Sequence, residues 1–317
     1  MLYQKRTMKK YITTKTFIWL ILGLALLAYS CKILNKTASI SATENNIDTK
    51  TSRPLSQDFK DYWYAGEAEL TSYKLEQARY GEIRDGKAVL IYVTEDFLPN
   101  KQVKADNRNP ENISVLKLNA TKTFNTGIYP YSIMQSTFYP VSNEQHAIKV
   151  SSTVQEWCGH VYTQLNNKEQ FEVISHSYFE NEADEHFKLE KTVLENELWT
   201  QLRIDPKSLP TGNLKIVPSF EFTRLRHVTI KAYNAIASLS DGTYTISYPE
   251  LNRNLSIHFN THFPFDILGW EETFISGFGE NAKKLTTKAT KLKTIKSAYW
   301  TKNANKDEMM RETLGLN

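Results

Sequence analysis

The sequence predicts a mainly β (α+β) fold: a large curved antiparallel sheet or half-barrel, with one amphipathic helix and a short C-terminal helix. Two observations lead to this prediction. From Phe59 onward, short segments rich in Val, Ile, Tyr, Phe and Thr alternate with turn residues. Few of the gaps between them are long enough for the crossover helices of a parallel sheet. With 317 residues, 40% of them hydrophobic, the chain can bury a large core, which excludes collagen-like and wholly disordered classes.

The first 30 residues have the order of an export signal, with a positive segment, an apolar segment and then small residues. Residues 17–28 form an unbroken apolar run of about 12 residues, preceded by five positive charges at Lys5, Arg6, Lys9, Lys10 and Lys15. A helix that spans a bilayer needs about 20 apolar residues. We therefore expect a signal peptide over 1–30, with Met1 and Met8 as alternative start residues.

The segment Leu27-Ala28-Tyr29-Ser30-Cys31 resembles a bacterial lipobox, in which the Cys is acylated and becomes the first residue after cleavage. It departs from the strict form at Ala28, where an aliphatic residue such as Leu is usual, and at Tyr29, where a small residue is usual. The resemblance implies that Cys31 carries a lipid that attaches the protein to a membrane. A plain transmembrane anchor and a cleaved, secreted form are the alternatives.

Composition also predicts the organisation beyond the signal. Residues 31–57 are polar and predict a lipidated flexible tether, whereas 58–317 predict a single β-rich domain. Residues 32–35 lack the acids that indicate export to the cell surface, so we expect an outer-membrane lipoprotein of the cell envelope that faces the periplasm. After residue 30 the chain has 34 positive and 35 negative side chains, which gives no electrostatic reason to expect a nucleic-acid partner.

Turn residues predict the order of the strands. Arg84-Asp85-Gly86-Lys87 predicts a two-residue hairpin turn between strands at 70–83 and 88–94, because Asp-Gly readily takes positive φ angles. Ser240-Asp241-Gly242-Thr243 predicts a second such turn between 228–239 and 244–248. Further strands are expected at 114–122, 132–139, 147–157, 161–165, 171–179, 214–218, 255–259 and 267–274.

Two segments predict helices. An amphipathic helix is expected over 181–204, with Asn181 as its cap, acids in its first turn, Pro206 as its stop and an apolar stripe for the concave face of the sheet, formed by Phe187, Leu194, Leu198 and Leu202. A short helix is expected over 306–314. Residues 285–300 have helical spacing of apolar residues, but their threonines favour a strand. We expect their lysines to form a solvated or edge-protecting face, with an anionic-ligand patch as the alternative.

The densest group of reactive side chains is Glu156-Trp157-Cys158-Gly159-His160. On a strand, Cys158 and His160 point the same way with Glu156 beside them, which suits a thiol nucleophile and its base. The alternative is that Cys158, left without an intrachain partner if Cys31 carries lipid, is buried and inert. Motifs for phosphate loops, dinucleotides, serine hydrolases and zinc are absent from the sequence, so we expect no cofactor and no metal.

Aromatic side chains are candidates for a ligand cavity. Such residues could line a cavity for an apolar or carbohydrate ligand, and core packing is the alternative. The candidates are Tyr129, Tyr131, Trp157, Trp270 and Trp300.

Five stretches resemble an uncharacterised lipoprotein family of Flavobacteria and other Bacteroidetes: 73–82 (YKLEQARYGE), 93–97 (VTEDF), 127–134 (GIYPYSIM), 154–160 (VQEWCGH) and 296–300 (KSAYW). Members are often labelled septum formation inhibitor Maf. Maf proteins proper are cytoplasmic nucleotide pyrophosphatases with an N-terminal Ser-x-Ser-Pro-Arg motif, which this chain lacks, so no Maf residue carries over. The resemblance implies an envelope location.

These observations favour a lipid-anchored cell-envelope protein that acts as a binding or assembly module for an apolar or lipid ligand or an envelope protein. Its predicted architecture is similar to lipoprotein-carrier folds by fold-level analogy. An envelope hydrolase that uses Cys158, His160 and Glu156 is one alternative. A structural subunit of an envelope complex is the other.

Overall fold

The computed structural model describes residues 53–142 and 145–316. The predicted signal peptide, Cys31 and the tether up to residue 52 lie outside the described residues. The fold of the described residues is mainly β, as predicted, and their 16 strands form one sheet. The strands are β1 (Ala68–Arg79), β2 (Glu82–Leu98), β3 (Val103–Lys104), β4 (Ile113–Thr126), β5 (Tyr129–Pro140), β6 (Lys149–Glu156), β7 (Gly159–Asn167), β8 (Phe171–Ser177), β9 (Glu185–Leu189), β10 (Val193–Leu194), β11 (Gly212–Val217), β12 (Tyr233–Ser240), β13 (Thr243–Tyr248), β14 (Arg253–Phe259), β15 (Ile267–Ser276) and β16 (Lys283–Ser297).

Four α-helices accompany the sheet within the described residues: α1 (Gln57–Trp63), α2 (Glu195–Ile204), α3 (Phe220–Arg226) and α4 (Met309–Thr313). Short 3-10 turns lie at Pro206–Ser208, Pro249–Leu251, Gly279–Asn281, Tyr299–Thr301 and Asn305–Glu308. The last of these turns and α4 together match the short C-terminal helix expected over 306–314. Leu314 packs on Ala68, Leu70 and Val93, so the C-terminus covers one face of β1 and β2.

The order of strands in the sheet is β10-β11-β12-β13-β14-β15-β16-β1-β2-β4-β5-β6-β7-β8-β9, and β3 pairs with β2 alone. Neighbours are antiparallel except for β10 and β11, which are parallel. The sheet is therefore open between its two terminal strands, β9 and β10. The first and last long strands, β1 and β16, pair with each other in the middle of the order.

Because neighbouring strands are antiparallel, every second connection lies at the same end of the sheet, and α3 lies at one of these two ends. We call it the α3 end; it contains the connections at 80–81, 127–128, 157–158, 178–184 and 277–282. The opposite end contains α1, where the described chain begins, and we call it the α1 end. At that end the backbone N–H of Arg53 donates to the carbonyl of Ser142.

Helix α2 fills the interior of the curved sheet, with Leu198 and Leu202 fully buried. Its two ends are bound to the sheet by buried ion pairs. Arg203 pairs with Glu69 of β1, and Glu195 pairs with Arg253 of β14. The prediction that an apolar helical stripe packs on the concave face is correct for this helix.

The predicted start of that helix is wrong. Residues 185–189 form β9 and 193–194 form β10, so the helix begins 14 positions later than expected, at Glu195. Its capping residue is Leu194, whose backbone N–H donates to the Glu197 side chain. Asn181 lies in the connection between β8 and β9 and caps no helix. Phe187 lies in β9 and Leu194 in β10, so their helical spacing with Leu198 and Leu202 does not reflect one continuous helix.

One predicted hairpin is confirmed and the other is wrong. Asp241-Gly242 forms the turn between β12 and β13. Asp85-Gly86 lies inside β2, and the turn is instead Tyr80-Gly81, with φ angles of 54° and 78°. A Cβ on Gly81 would collide with the carbonyl oxygen of Asn281, so glycine is required there.

The strand expected at 285–300 is confirmed as β16. It pairs with both β15 and β1, so its lysines protect no edge. Lys288 is exposed and pairs with Glu271 across the strands.

Candidate ligand-binding site at the open seam

A cavity of about 570 Å³ lies where the sheet is open at the α3 end. Its volume falls within the range of about 300–1,000 Å³ that is usual for small-molecule sites. The inner face of β7 to β9 forms one side, and the segment after α3 forms the other. We call it the seam cavity. Its apolar walls are Val161, Phe187, Val228 and Ile230.

Three charged or titratable side chains, Glu182, Arg224 and His227, contact one another at this cavity. The Glu182 carboxylate accepts hydrogen bonds from Ser177 Oγ at 2.7 Å, from His227 Nδ1 at 2.7 Å and from Arg224 Nη1 at 3.2 Å. A carboxylate can only accept, so His227 carries a proton on Nδ1 in this contact. Burial alone would raise the pKa of Glu182, but these donors hold it below its usual value.

Local structure explains why these side chains meet. Ser219 caps α3 by accepting from the backbone N–H of Phe222. His227 ends the helix in the left-handed conformation, with a φ of 52°. On the facing connection, the carbonyl of Phe179 accepts from the N–H groups of Glu182 and Ala183, which forms a tight turn.

Arg224 is held in place by an aromatic ring. Its guanidinium lies 4.1 Å from the centre of the Phe179 ring, a favourable cation–π arrangement. The side chain is 9% exposed, and its Nε has no hydrogen-bond partner within the described part of the chain. Burial lowers the pKa of Arg224, the Glu182 charge opposes that effect, and the Arg79 charge adds to it.

A second arginine, Arg79, lies beside this site under a row of aromatic rings. Its guanidinium is 4.0 Å from the centre of the Tyr80 ring and 5.2 Å from that of Tyr131. It donates to both phenolic oxygens at 2.9 Å and to the carbonyl of Leu225 at 2.5 Å. These contacts connect α3 to β1 and stabilise the Tyr80-Gly81 turn.

The structure brings together only some of the predicted aromatic residues. Tyr129 lies 6.0 Å from Tyr131 and 6.4 Å from Trp157, between ring centres, at the α3 end. Trp270 is instead buried in the core, and Trp300 is half exposed in a turn after β16. The five residues do not line one cavity.

The predicted thiol group has a different geometry from the one expected. Trp157 and Cys158 form the turn between β6 and β7, so Cys158 and His160 do not share a strand face. Cys158 is exposed, and the expectation that it is buried is also wrong. A hydrogen bond and the negative charge of Glu156 raise the pKa of the Cys158 thiol, which disfavours the nucleophilic thiolate.

The deeper interior beside α2 is nearly full and contains several buried polar side chains. A cavity of about 50 Å³ lies beside Trp270 and α2. Because one water needs about 10–15 Å³ of such volume, this cavity has room for a few waters but is too small for an acyl chain. Lys122 donates to Glu221 at 2.7 Å along its wall. Burial raises the pKa of Glu221 although the Lys122 charge opposes that change.

The sequence analysis did not identify Arg79, Arg224 or His227 as site residues. It placed Glu182 in the helix expected over 181–204. Ser219 followed by Phe222 and Leu225 at helical spacing was the available signal for α3. The other contacts join segments far apart in sequence, such as Arg79 and Tyr131, and have no local signal.

Within 53–142 and 145–316, no group of three or more His, Cys, Asp or Glu side chains could hold a metal ion. The same residues contain no helix long and apolar enough to cross a membrane.

No protein-family model matches the chain, and no curated protein is similar to it. Among solved structures, the chain is similar to a β-barrel-like protein of a domain of unknown function (DUF1849) from Brucella abortus. The two share 7% identity with a TM-score of 0.42, over 73% of this chain and 98% of the other.

Proposed function

We propose that this protein is a lipid-anchored binding module of the cell envelope and that a lipid-like ligand occupies the seam cavity. The observation that carries the proposal is the cavity itself, with about 570 Å³ of space, apolar walls and polar side chains. The nearly full interior leaves no comparable space beside α2. A ligand with an apolar part and a polar part suits such a lining.

The seam cavity lies at the α3 end of the sheet, whereas the described chain begins at the α1 end. An envelope hydrolase is less well supported, because the Cys158 thiol lies in a turn with a raised pKa.

The test uses the compact unit Lys50–Asn317, which contains all the described strands and helices and their cores. We expect native mass spectrometry of the gently purified unit to detect a bound small molecule. We also expect the neutral dye N-phenyl-1-naphthylamine to bind and fluoresce.

A pair of adjacent substitutions on β8 locates the site. Ser175 lines the cavity, whereas Ile174 points to the opposite face of the strand. Ser175→Trp should abolish dye binding, and Ile174→Trp should preserve it. A wild-type unit that is empty and does not bind the dye overturns the proposal and favours a structural role in an envelope complex.

A further inference from the structure

We infer that the seam cavity contains an anion site for the negatively charged head of an amphiphile, and that Glu182 occupies this site when no ligand is bound. The inference rests on the proposed function and adds the ligand class, an apolar chain that carries a carboxylate or phosphate. The donors are Ser177, Arg224 and His227, which meet on the Glu182 carboxylate.

The donor set is built from three separate segments. Ser177 ends β8, Arg224 belongs to α3 and His227 caps that helix. A guanidinium, an imidazole and a hydroxyl supply charge-assisted and neutral hydrogen bonds to one anion. Ser177 is held by its strand, and Arg224 and His227 are held by α3 and its C-terminal cap, so none of the three donors belongs to the connection that contains Glu182.

Glu182 itself belongs to the connection 178–184 and not to a strand or helix. Most side chains of this connection are exposed, and Tyr178 is among the most exposed large hydrophobic residues described. Moving Glu182 away therefore breaks few packing contacts. The exchange of one carboxylate for another leaves the donors satisfied, whereas a neutral ligand would leave Arg224 without its counter-charge.

The surrounding charge favours an anion. Arg79 is buried and forms no ion pair among the described residues, because its contacts are with two phenols and a carbonyl. Arg226 lies over the Phe274 and Phe278 rings, and the Arg79 charge adds to burial in lowering its pKa. When Glu182 leaves, the acidic side chains that remain near the donors include Glu185, which lines the same cavity, and Glu156, whose charge acts on Arg224.

The apolar walls account for the rest of the ligand. Val161, Phe187, Val228 and Ile230 line the same cavity as Arg224 and His227. The walls and the donors belong to one cavity, so an apolar chain placed against the walls can have its charged end at the donors. The head and the tail then both contribute to affinity, and neither alone suffices.

The test measures displacement of N-phenyl-1-naphthylamine from the Lys50–Asn317 unit. The competitors are decanoate and decyl phosphate, which have head and tail, decanol, which has only the tail, and acetate and inorganic phosphate, which have only the head. We expect the two anionic amphiphiles to compete about tenfold more tightly than decanol. Acetate and inorganic phosphate should not compete at millimolar concentration.

Separate substitutions test the role of the Glu182 carboxylate and the role of the side chains that donate to it. Glu182→Gln removes the competing charge and should tighten decanoate binding about threefold to tenfold. Glu180→Gln makes the same change at an exposed position of the same connection and should have no effect. Arg224→Gln should weaken decanoate but not decanol. His227→Asn should do the same, and because Asn tolerates the left-handed conformation it also preserves the helix cap.

The outcomes distinguish the two proposals. Equal competition by decanol and decanoate, with no effect of Glu182→Gln, overturns the anion site and leaves the cavity as a site for neutral ligands. If only acetate or inorganic phosphate competes, the proposal that the ligand is an amphiphile is overturned, and the donors form a site for a free anion. Failure of every compound, together with no dye binding, overturns the proposed function itself.

Discussion

The buried ion pair between Glu69 and Arg203 should make a large contribution to stability when one partner is removed. Two parallel hydrogen bonds of 2.7 Å join the carboxylate and the guanidinium, whose side chains are 0% and 1% exposed. Arg203 Nε also donates to the carbonyl of Pro264 at 3.0 Å. The guanidinium lies 5.0 Å and 4.7 Å from the ring centres of Trp63 and Tyr92.

Glu69→Gln removes the negative charge and leaves the Arg203 charge buried without compensation. Breaking such a pair costs about 3–5 kcal/mol. For a domain of this size, about 2–4 °C of melting temperature corresponds to each kcal/mol. We therefore expect a fall of roughly 6–20 °C. Glu271→Gln breaks an exposed pair with Lys288 and should cost under about 1 kcal/mol.

The double variant Glu69→Gln/Arg203→Met removes both charges at similar volume. It should be more stable than the sum of the single substitutions by about 0.5–3 kcal/mol. Urea denaturation of wild type, Glu69→Gln, Arg203→Met and the double variant at pH 7 measures this coupling. The reasoning is refuted if Glu69→Gln costs no more than Glu271→Gln, or if the two interior substitutions are additive.

The contribution of Glu69 to folding stability should decrease at acidic pH. Burial would raise the pKa of Glu69, but the Arg203 charge, its hydrogen bonds and the Tyr62 hydroxyl hold this pKa below its usual value. A depressed carboxyl pKa contributes stability above the unfolded value, and this contribution is lost as the pH falls through the folded value. The stability difference between wild type and Glu69→Gln should therefore shrink as the pH falls below the pKa of an unfolded glutamate, about 4.3.

Three further changes test the core, the thiol and a turn. Trp270→Ala should cost about 3–5 kcal/mol in urea denaturation, and a cost below about 1 kcal/mol would contradict its placement in the core. Cys158 should react with Ellman's reagent in the native protein, and Glu156→Gln should speed the reaction at pH 8; an unreactive thiol would contradict its exposure. Gly81→Ala should lower stability by more than about 1 kcal/mol because the added Cβ meets Asn281, and an unchanged melting temperature would contradict this contact.

Strand content and the Asp241-Gly242 turn could be predicted because both depend on local sequence. Alternating β-branched and aromatic residues favour strands, and Asp-Gly favours the turn by its own backbone preferences. The Tyr80-Gly81 turn could not be predicted in the same way. Tyr80 takes a positive φ, which a tyrosine rarely adopts, and contacts with Arg79 and Tyr131 stabilise it.

The candidate site was largely beyond sequence reasoning for the same reason. Glu182 and His227 are 45 positions apart, and nothing near either residue indicates the other. Arg203 and Glu69 are 134 positions apart. The sequence analysis nevertheless named Tyr129, Tyr131 and Trp157 as candidates, because an aromatic residue can be recognised from the sequence alone. The structure places these three side chains close together.

The pairing of β1 with β16 has a consequence for how the chain acquires its structure. The first long strand, β1, lacks one of its neighbours until the last long strand, β16, has been synthesised. Pairing across such a sequence distance slows folding, because the entropy of closing a long loop is lost first. A chain truncated before Lys283 would leave β1 and β15 with unpaired backbone groups, and such edges promote aggregation. Deleting this single strand should therefore be more damaging than its solvated lysines suggest.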